Sequence, residues 1–215
     1  MTESASGIIL RTRPLTETSL IVNWLTPNLG RVATVAKGAR RPKSPFAGKL
    51  DLFYTADFSF LRSHRSELHS LREVSLRETN GAIRMDIAKL RQAGYATAFI
   101  EQATETEAPM PEVFEMVQAF LKWLCTREPK AQAIFALELK LLRELGLMPG
   151  LAKARLTPGA KKIAATLVEN GWQESSRLKL SEAQTQELSR WLHGFLILHL
   201  ARLPRGRAGA LGEKA

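Results

Sequence analysis

The sequence predicts an α+β chain: a small five-stranded β-barrel over residues 1–80, then an all-helical domain over residues 81–215. Three observations predict it. Short apolar runs with period-2 spacing fill the first third of the chain. At Asn80-Gly81 the apolar period becomes helical and stays so. Arg31 to Lys49, which opens as the third run and then breaks into a Gly-, Pro- and Ser-rich loop, has no acidic residue.

The strands follow in order. Ile8 to Leu10 is a short apolar run. Leu20 to Leu25 is a second, ended by the turn segment Thr26-Pro27-Asn28-Leu29-Gly30. Val32 to Lys37 is a third. Leu50 to Phe60 alternates most cleanly: Leu50, Leu52, Tyr54, Ala56, Phe58 and Phe60 face inward, and Asp51, Thr55, Asp57 and Ser59 outward. Phe53 breaks that pattern and is expected over a neighbouring loop. Glu67 to Leu76 completes the set, with Leu68, Val74 and Leu76 on one face. The commonest barrel of five short strands is the OB fold, which binds nucleic acid through its strand 2–3 face and its loops.

Helices follow. Ile83, Ile87, Leu90, Gly94, Ala98 and Glu101 keep helical spacing from Ala82 to about Ala103. An acidic patch, Glu101 to Glu115, leads into a helix striped by Val113, Met116, Val117, Phe120, Leu121 and Leu124. After Glu128-Pro129 a third helix runs to Gly146, striped by Ile134, Leu137, Leu141, Leu142 and Leu145 and stopped by Gly146 and Pro149. Ala160 to Glu169 is a short helix. Ser181 and Gln184 form a capping box for the last long helix, whose face is Leu188, Trp191, Leu192, Phe195 and His199. The basic tail from Arg205 is expected to be partly mobile.

Charge narrows the function. A net charge of +10 and a pI near 10.1 favour a polyanionic partner. Apolar stretches fall far short of the roughly 20 residues a membrane span needs. The N-terminus MTESASG has no signal-peptide pattern, so the expected setting is cytoplasmic. The single cysteine, Cys125, excludes a cysteine-rich zinc site.

Arg31, Lys37, Arg40, Arg41 and Lys43 are the expected phosphate contacts, with Arg11, Arg13 and Lys49 next. Each cation can neutralise one phosphate and release counterions, a salt-sensitive and sequence-blind gain. The stretch reads as a mobile basic loop beside a strand. Trp24, Phe46 and Phe53 are candidate stacking platforms for bases, with barrel core the competing role of Trp24.

No catalytic constellation emerges, and neither a cofactor nor a metal is expected. Gly38 to Ser44 lacks the second glycine of a phosphate-binding loop, is a residue short of one and contains Pro42. His64, His69, His193 and His199 stand at spacings unsuited to paired ligands, so surface or capping roles are expected.

The strings Arg13-Pro14, Glu17-Thr18, Thr26, Gly30-Arg31, Val35-Ala36-Lys37-Gly38-Ala39-Arg40 and Ser44 resemble the bacterial DNA repair and recombination protein family RecO. Leu141 to Pro149 resembles the family's helix end, and His199-Leu200 with Arg205 and Leu211 loosely resembles its C-terminal arm. The resemblance covers most of the chain and is specific in the first half. It implies an OB domain and a helical domain, binding of single- and double-stranded DNA, annealing of complementary strands, and no enzymatic activity. It also implies contact with the C-terminal tail of single-stranded DNA-binding protein, and work with RecR (and RecF) to load RecA onto coated DNA. Many family members carry four zinc-binding cysteines just past the position of Pro149; Gly150 to Lys162 has none.

That partner tail, acidic with an apolar end by the same resemblance, calls for an apolar pocket rimmed by cations. Leu139, Lys140, Leu142 and Arg143 on the third helix are the candidates, against a plain core role for the leucines. The rival function is an OB-fold RNA-binding or ribosome-associated protein, which composition alone does not separate from a DNA mediator.

Overall fold

The computed structural model describes residues 2–148, 150–200 and 202–213. Pro149, expected to stop the third helix, lies outside them, as do Lys214 and Ala215 of the tail.

Strands β1 (Thr2–Pro14), β2 (Leu20–Thr26), β3 (Gly30–Ala36), β4 (Thr55–Leu61) and β5 (Leu68–Glu78) close a barrel in the order β1-β2-β3-β5-β4. The β3–β5 pairing is parallel and the others antiparallel, as an OB barrel requires. Strand β1 serves two neighbours: its first half pairs with β4, its second with β2. At Gly7 a Cβ would stand 3.1 Å from both the Leu25 carbonyl oxygen and the Phe58 ring. A bulge between Ile9 and Arg11 lets Ile8, Ile9 and Leu10 all enter the core. At the barrel centre Trp24 stacks on Phe58 with centroids 4.1 Å apart, and its Nε1 donates to Thr34 Oγ1 at 2.9 Å.

The expected fourth strand is shorter at its start. Residues Leu50–Tyr54 form turns, and pairing begins at Thr55, which is buried rather than outward. Phe53 takes a left-handed φ of 68° and is buried. Its N–H donates to Ile9 O, and Ile9 N–H donates to Tyr54 O, both at 2.9 Å. Asn80 Nδ2 donates to Phe53 O at 2.7 Å and fixes the same turn. An unbroken parity run does not reveal such a conformation, because side-chain alternation presumes extended backbone.

Two compact units divide the chain. The first runs to Gly81 and takes back Ala103–Gln118; the second holds Ala82–Gln102 and the chain from Ala119. The expected division at residue 80 is therefore crossed by one returning segment. That segment lies along β3: Arg31 and Thr106 form a parallel bridge, and Glu107 N–H donates to Arg31 O at 2.9 Å. Gly30, at φ +65°, permits the approach, since a Cβ there would fall 2.1 Å from Ala108 O.

The helices are α1 (Ile87–Ala103), α2 (Pro111–Thr126), α3 (Ala131–Glu144), α4 (Pro158–Glu169), α5 (Trp172–Arg177), α6 (Glu182–Leu200) and α7 (Arg207–Leu211). Every residue of α3 from Ala133 to Leu142 is buried, and α4, α5, α6 and α7 all pack on it. On α1 the buried face is Gln92, Tyr95, Ala96, Phe99 and Ile100; Ile87, expected inside, is 62% exposed. The aromatic face wins because it buries more apolar area per turn. The capping box forms as expected: Ser181 N–H donates to Gln184 Oε1 at 2.9 Å, and Gln184 N–H to Ser181 Oγ at 3.2 Å.

The tail departs from expectation. Arg207 is buried, and its Nε and Nη2 donate to the two oxygens of Glu138 at 2.7 and 3.0 Å. The Tyr95 hydroxyl donates to the same carboxylate at 2.5 Å, and burial followed by that charge pushes its pKa well above the ordinary value. Burial works against the Arg207 charge, but Glu138 more than offsets it and holds its pKa up. The segment from Arg207 to Leu211 is thus a helix pinned to the core.

Candidate nucleic-acid interface

The loop between β3 and β4 is ordered by consecutive turns. Ala39, Arg41, Ser44, Ala47 and Lys49 each donate their N–H to the carbonyl three residues back, at 3.0 to 3.3 Å. Gly38 provides the left-handed residue that starts the series, at φ 70°. Phe46 is buried with the barrel core and anchors the middle. Arg40 N–H donates to Thr18 O at 3.0 Å, and Gly38 N–H to Ser19 Oγ at 3.4 Å, tying the loop to the β1–β2 turn. The basic loop is therefore a fixed ledge, where the sequence suggested a mobile one.

Lys37, Arg40, Arg41 and Lys43 are exposed on it, and Lys49 is half-buried at its far end. Arg11 and Arg13 are exposed on β1. The pairings Pro14↔Leu20 and Leu20↔Ala36 bring the Arg13 end of β1 to the end of β3, where the ledge begins. Of the carboxylates nearby, Glu17 lies in the β1–β2 turn and Asp51 just past Lys49. The result is a row of cations on one end of the barrel, suited to a chain of phosphates.

Arg31 is turned to another task. Its Nε donates to Thr104 Oγ1 at 2.9 Å and its Nη2 to Thr104 O at 2.6 Å, so its guanidinium clamps the returning segment. A second clamp lies beside it. Glu107 Oε1 accepts from His69 Nε2 at 2.9 Å and Arg62 Nη1 at 2.5 Å, and Arg62 Nε donates to Glu3 at 2.5 Å. The His69 bond, then the Arg62 contacts, hold the Glu107 carboxyl below its ordinary pKa, and Arg62 does the same for Glu3. His69 is buried, not a surface histidine, and its Nδ1 accepts from Ser63 N–H at 3.2 Å.

None of the three candidate stacking rings stands open on a sheet face. Trp24, Phe46 and Phe53 are all buried. The structure offers instead a groove of about 720 Å³ that shares Phe46 and Lys49 with the ledge and reaches β1, β4 and β5. Arg72 and Glu73, which line it, escaped the sequence reading. Their signal was visible: two adjacent charges between the inward Leu71 and Val74 break the strand alternation by one residue.

The candidate partner-tail residues sit elsewhere in function. Leu139 and Leu142 are fully buried in α3. Lys140 Nζ donates to Val168 O at 2.8 Å and Asn170 O at 2.7 Å, and Arg143 Nη1 to Val168 O at 3.1 Å. The two cations cap the carbonyl end of α4, where the helix dipole favours positive charge. Burial pulls the Lys140 pKa below its ordinary value, with Arg143 acting the same way. Leu139, Lys140 and Leu142 are buried, and Arg143 alone of the four is exposed.

Fold and ledge together define a class: a basic OB-barrel protein followed by a helical unit. The comparisons narrow it. The family model Recombination protein O N terminal matches residues 1–80, and Recombination protein O C terminal matches residues 84–153. The DNA repair protein RecO of Anaeromyxobacter sp. (strain K) is 34% identical over 146 residues, which are 68% of this chain and 58% of that protein. The DNA repair protein RecO of Bacillus subtilis (strain 168) is 30% identical over 151 residues, 70% of this chain and 58% of that protein. This chain belongs to the RecO family. Its matches span less than two thirds of the length of these relatives. Among the described residues, no helix is long and apolar enough to cross a membrane, and no cluster of three or more His, Cys, Asp or Glu is arranged to hold a metal ion.

Proposed function

We propose that this chain is a non-enzymatic recombination mediator of DNA repair, working in the cytoplasm on the nucleoid. It binds single- and double-stranded DNA, anneals complementary strands, and helps load RecA onto DNA coated by single-stranded DNA-binding protein, with RecR and RecF as partners. The observation that carries this reading is the ordered ledge of Lys37, Arg40, Arg41 and Lys43 on an OB barrel of a RecO-family chain. Two strands can be brought together by salt-sensitive phosphate contacts that read no bases. Arg11, Arg13 and Lys49 extend the path, and Arg31 positions the segment behind it.

Strand annealing at two salt concentrations, with naked strands and with strands coated by single-stranded DNA-binding protein, tests this. Annealing of both kinds of strand, weakening with salt, is the expected result. Annealing of naked strands alone removes the contact with the coating protein. No annealing, together with tighter binding to structured RNA, overturns the reading in favour of an RNA-binding protein.

A further inference from the structure

The groove next to the ledge has a chemistry that phosphate does not explain. Lys49 and Arg72 line it beside Glu73 and Asp57, and Asp57 is paired with Arg77 Nε at 2.5 Å. A phosphate gains less beside these carboxylates than on the ledge. Its remaining walls include Phe46, Phe58 and Val74, which are apolar. A neutral flat ring carrying both N–H donors and carbonyl acceptors suits this lining: carboxylates accept from exocyclic amines, and Lys or Arg donates to ring carbonyls.

The backbone builds the groove. Strand β5 pairs with β3 only from Leu68 to Ser70. Beyond Ser70 the ledge loop stands beside β5 in place of a strand, as the shared lining shows. Between Ser59↔Glu73 and Phe60↔Leu71 the β4–β5 register shifts, so Arg72 is a bulge residue. Leu71 and Val74 stay buried while Arg72 and Glu73 both remain exposed. Bulges re-aim side chains in this way next to binding sites.

We propose that this groove receives one unstacked nucleobase of a strand whose phosphates lie on the Arg40–Lys43 ledge. This rests on the DNA reading above and adds to it a preference for single strands, because a paired base cannot enter.

The test compares two labelled single-stranded oligodeoxynucleotides of equal length on the full chain: one with bases, one with stable abasic sugars throughout. Both carry the same phosphates. The expected result is about tenfold weaker binding of the abasic strand, the scale of one well-placed hydrogen-bonded base contact, with an unchanged salt slope. In S75W the new ring occupies the groove from an exposed strand position. That variant, its fold checked by circular dichroism, is expected to bind both strands equally. Equal binding of the two strands by the unaltered chain, with a normal salt slope, overturns the base site and leaves the ledge standing. A folded S75W that keeps the preference overturns it too. No salt-dependent binding of either strand overturns the ledge and the base site together.

Discussion

Arg207 and Glu138 are 69 residues apart in the chain and meet in a buried two-pronged ion pair. Removing one partner leaves the other charge buried without its counter-charge, and Glu138 would keep only the Tyr95 hydroxyl. R207A is expected to lose about 3–5 kcal/mol of stability in urea unfolding. R207K should recover little, since an ammonium lacks the planar fork that meets both carboxylate oxygens in parallel. Replacing both residues with leucine should cost less than R207A, because the desolvation penalty goes with the pair. A double variant as unstable as R207A would show that the pair itself, not the stranded charge, carries the loss.

The ledge predicts a salt dependence. Changing Arg40, Arg41 and Lys43 together to alanine should weaken DNA binding for all sequences and reduce the salt slope by up to about 3. Binding titrations from low to moderate salt measure it. A slope equal to that of the unaltered chain would place DNA elsewhere.

Arg31 should behave differently from its neighbours in sequence. Its two hydrogen bonds to Thr104 make it a clamp, so R31A should lower stability by about 1–3 kcal/mol. The salt slope of DNA binding should stay nearly constant. A slope lowered by about 1 with unchanged stability would return Arg31 to the set of phosphate contacts.

Acid should weaken the Glu107 clamp. Its carboxyl titrates below the ordinary 4.5, first through His69 and then through Arg62. A carboxyl with a lowered folded pKa contributes fully above that ordinary value and loses its contribution as pH falls through the folded one. The Tm difference between the unaltered chain and E107Q should therefore be largest above that ordinary value and shrink as pH falls through the folded one. A difference that does not shrink with acid would assign the stabilisation to something other than the carboxylate charge.

What was legible in the sequence was local. The capping box of Ser181 and Gln184 and the alternation of Ala56, Phe58 and Phe60 depend on residues a few positions apart, and both form. The polar start of β1 was missed because Thr2 to Ser6 are held by backbone pairing to β4, which leaves no apolar pattern. Lys140 and Arg143 looked like a pocket rim because Val168, at the end of α4 that they cap, is 28 and 25 residues away in the chain. The α7 helix was hidden for the same reason: its anchor is a carboxylate on α3. Basic residues on the ledge were readable as a cluster, but their rigidity was not, since it comes from Phe46 entering the barrel.

The returning strip from Thr104 to Ala108 bears on how such a protein can be inherited. It docks on β3 over a glycine that tolerates no side chain. Residues 1–80 transplanted alone into a foreign chain would carry Arg31 with no Thr104 to receive it and His69 with no Glu107. The barrel is therefore not a portable cassette: a gene fusion that cut at residue 80 would strand its own seal, and selection would keep both stretches of the gene together.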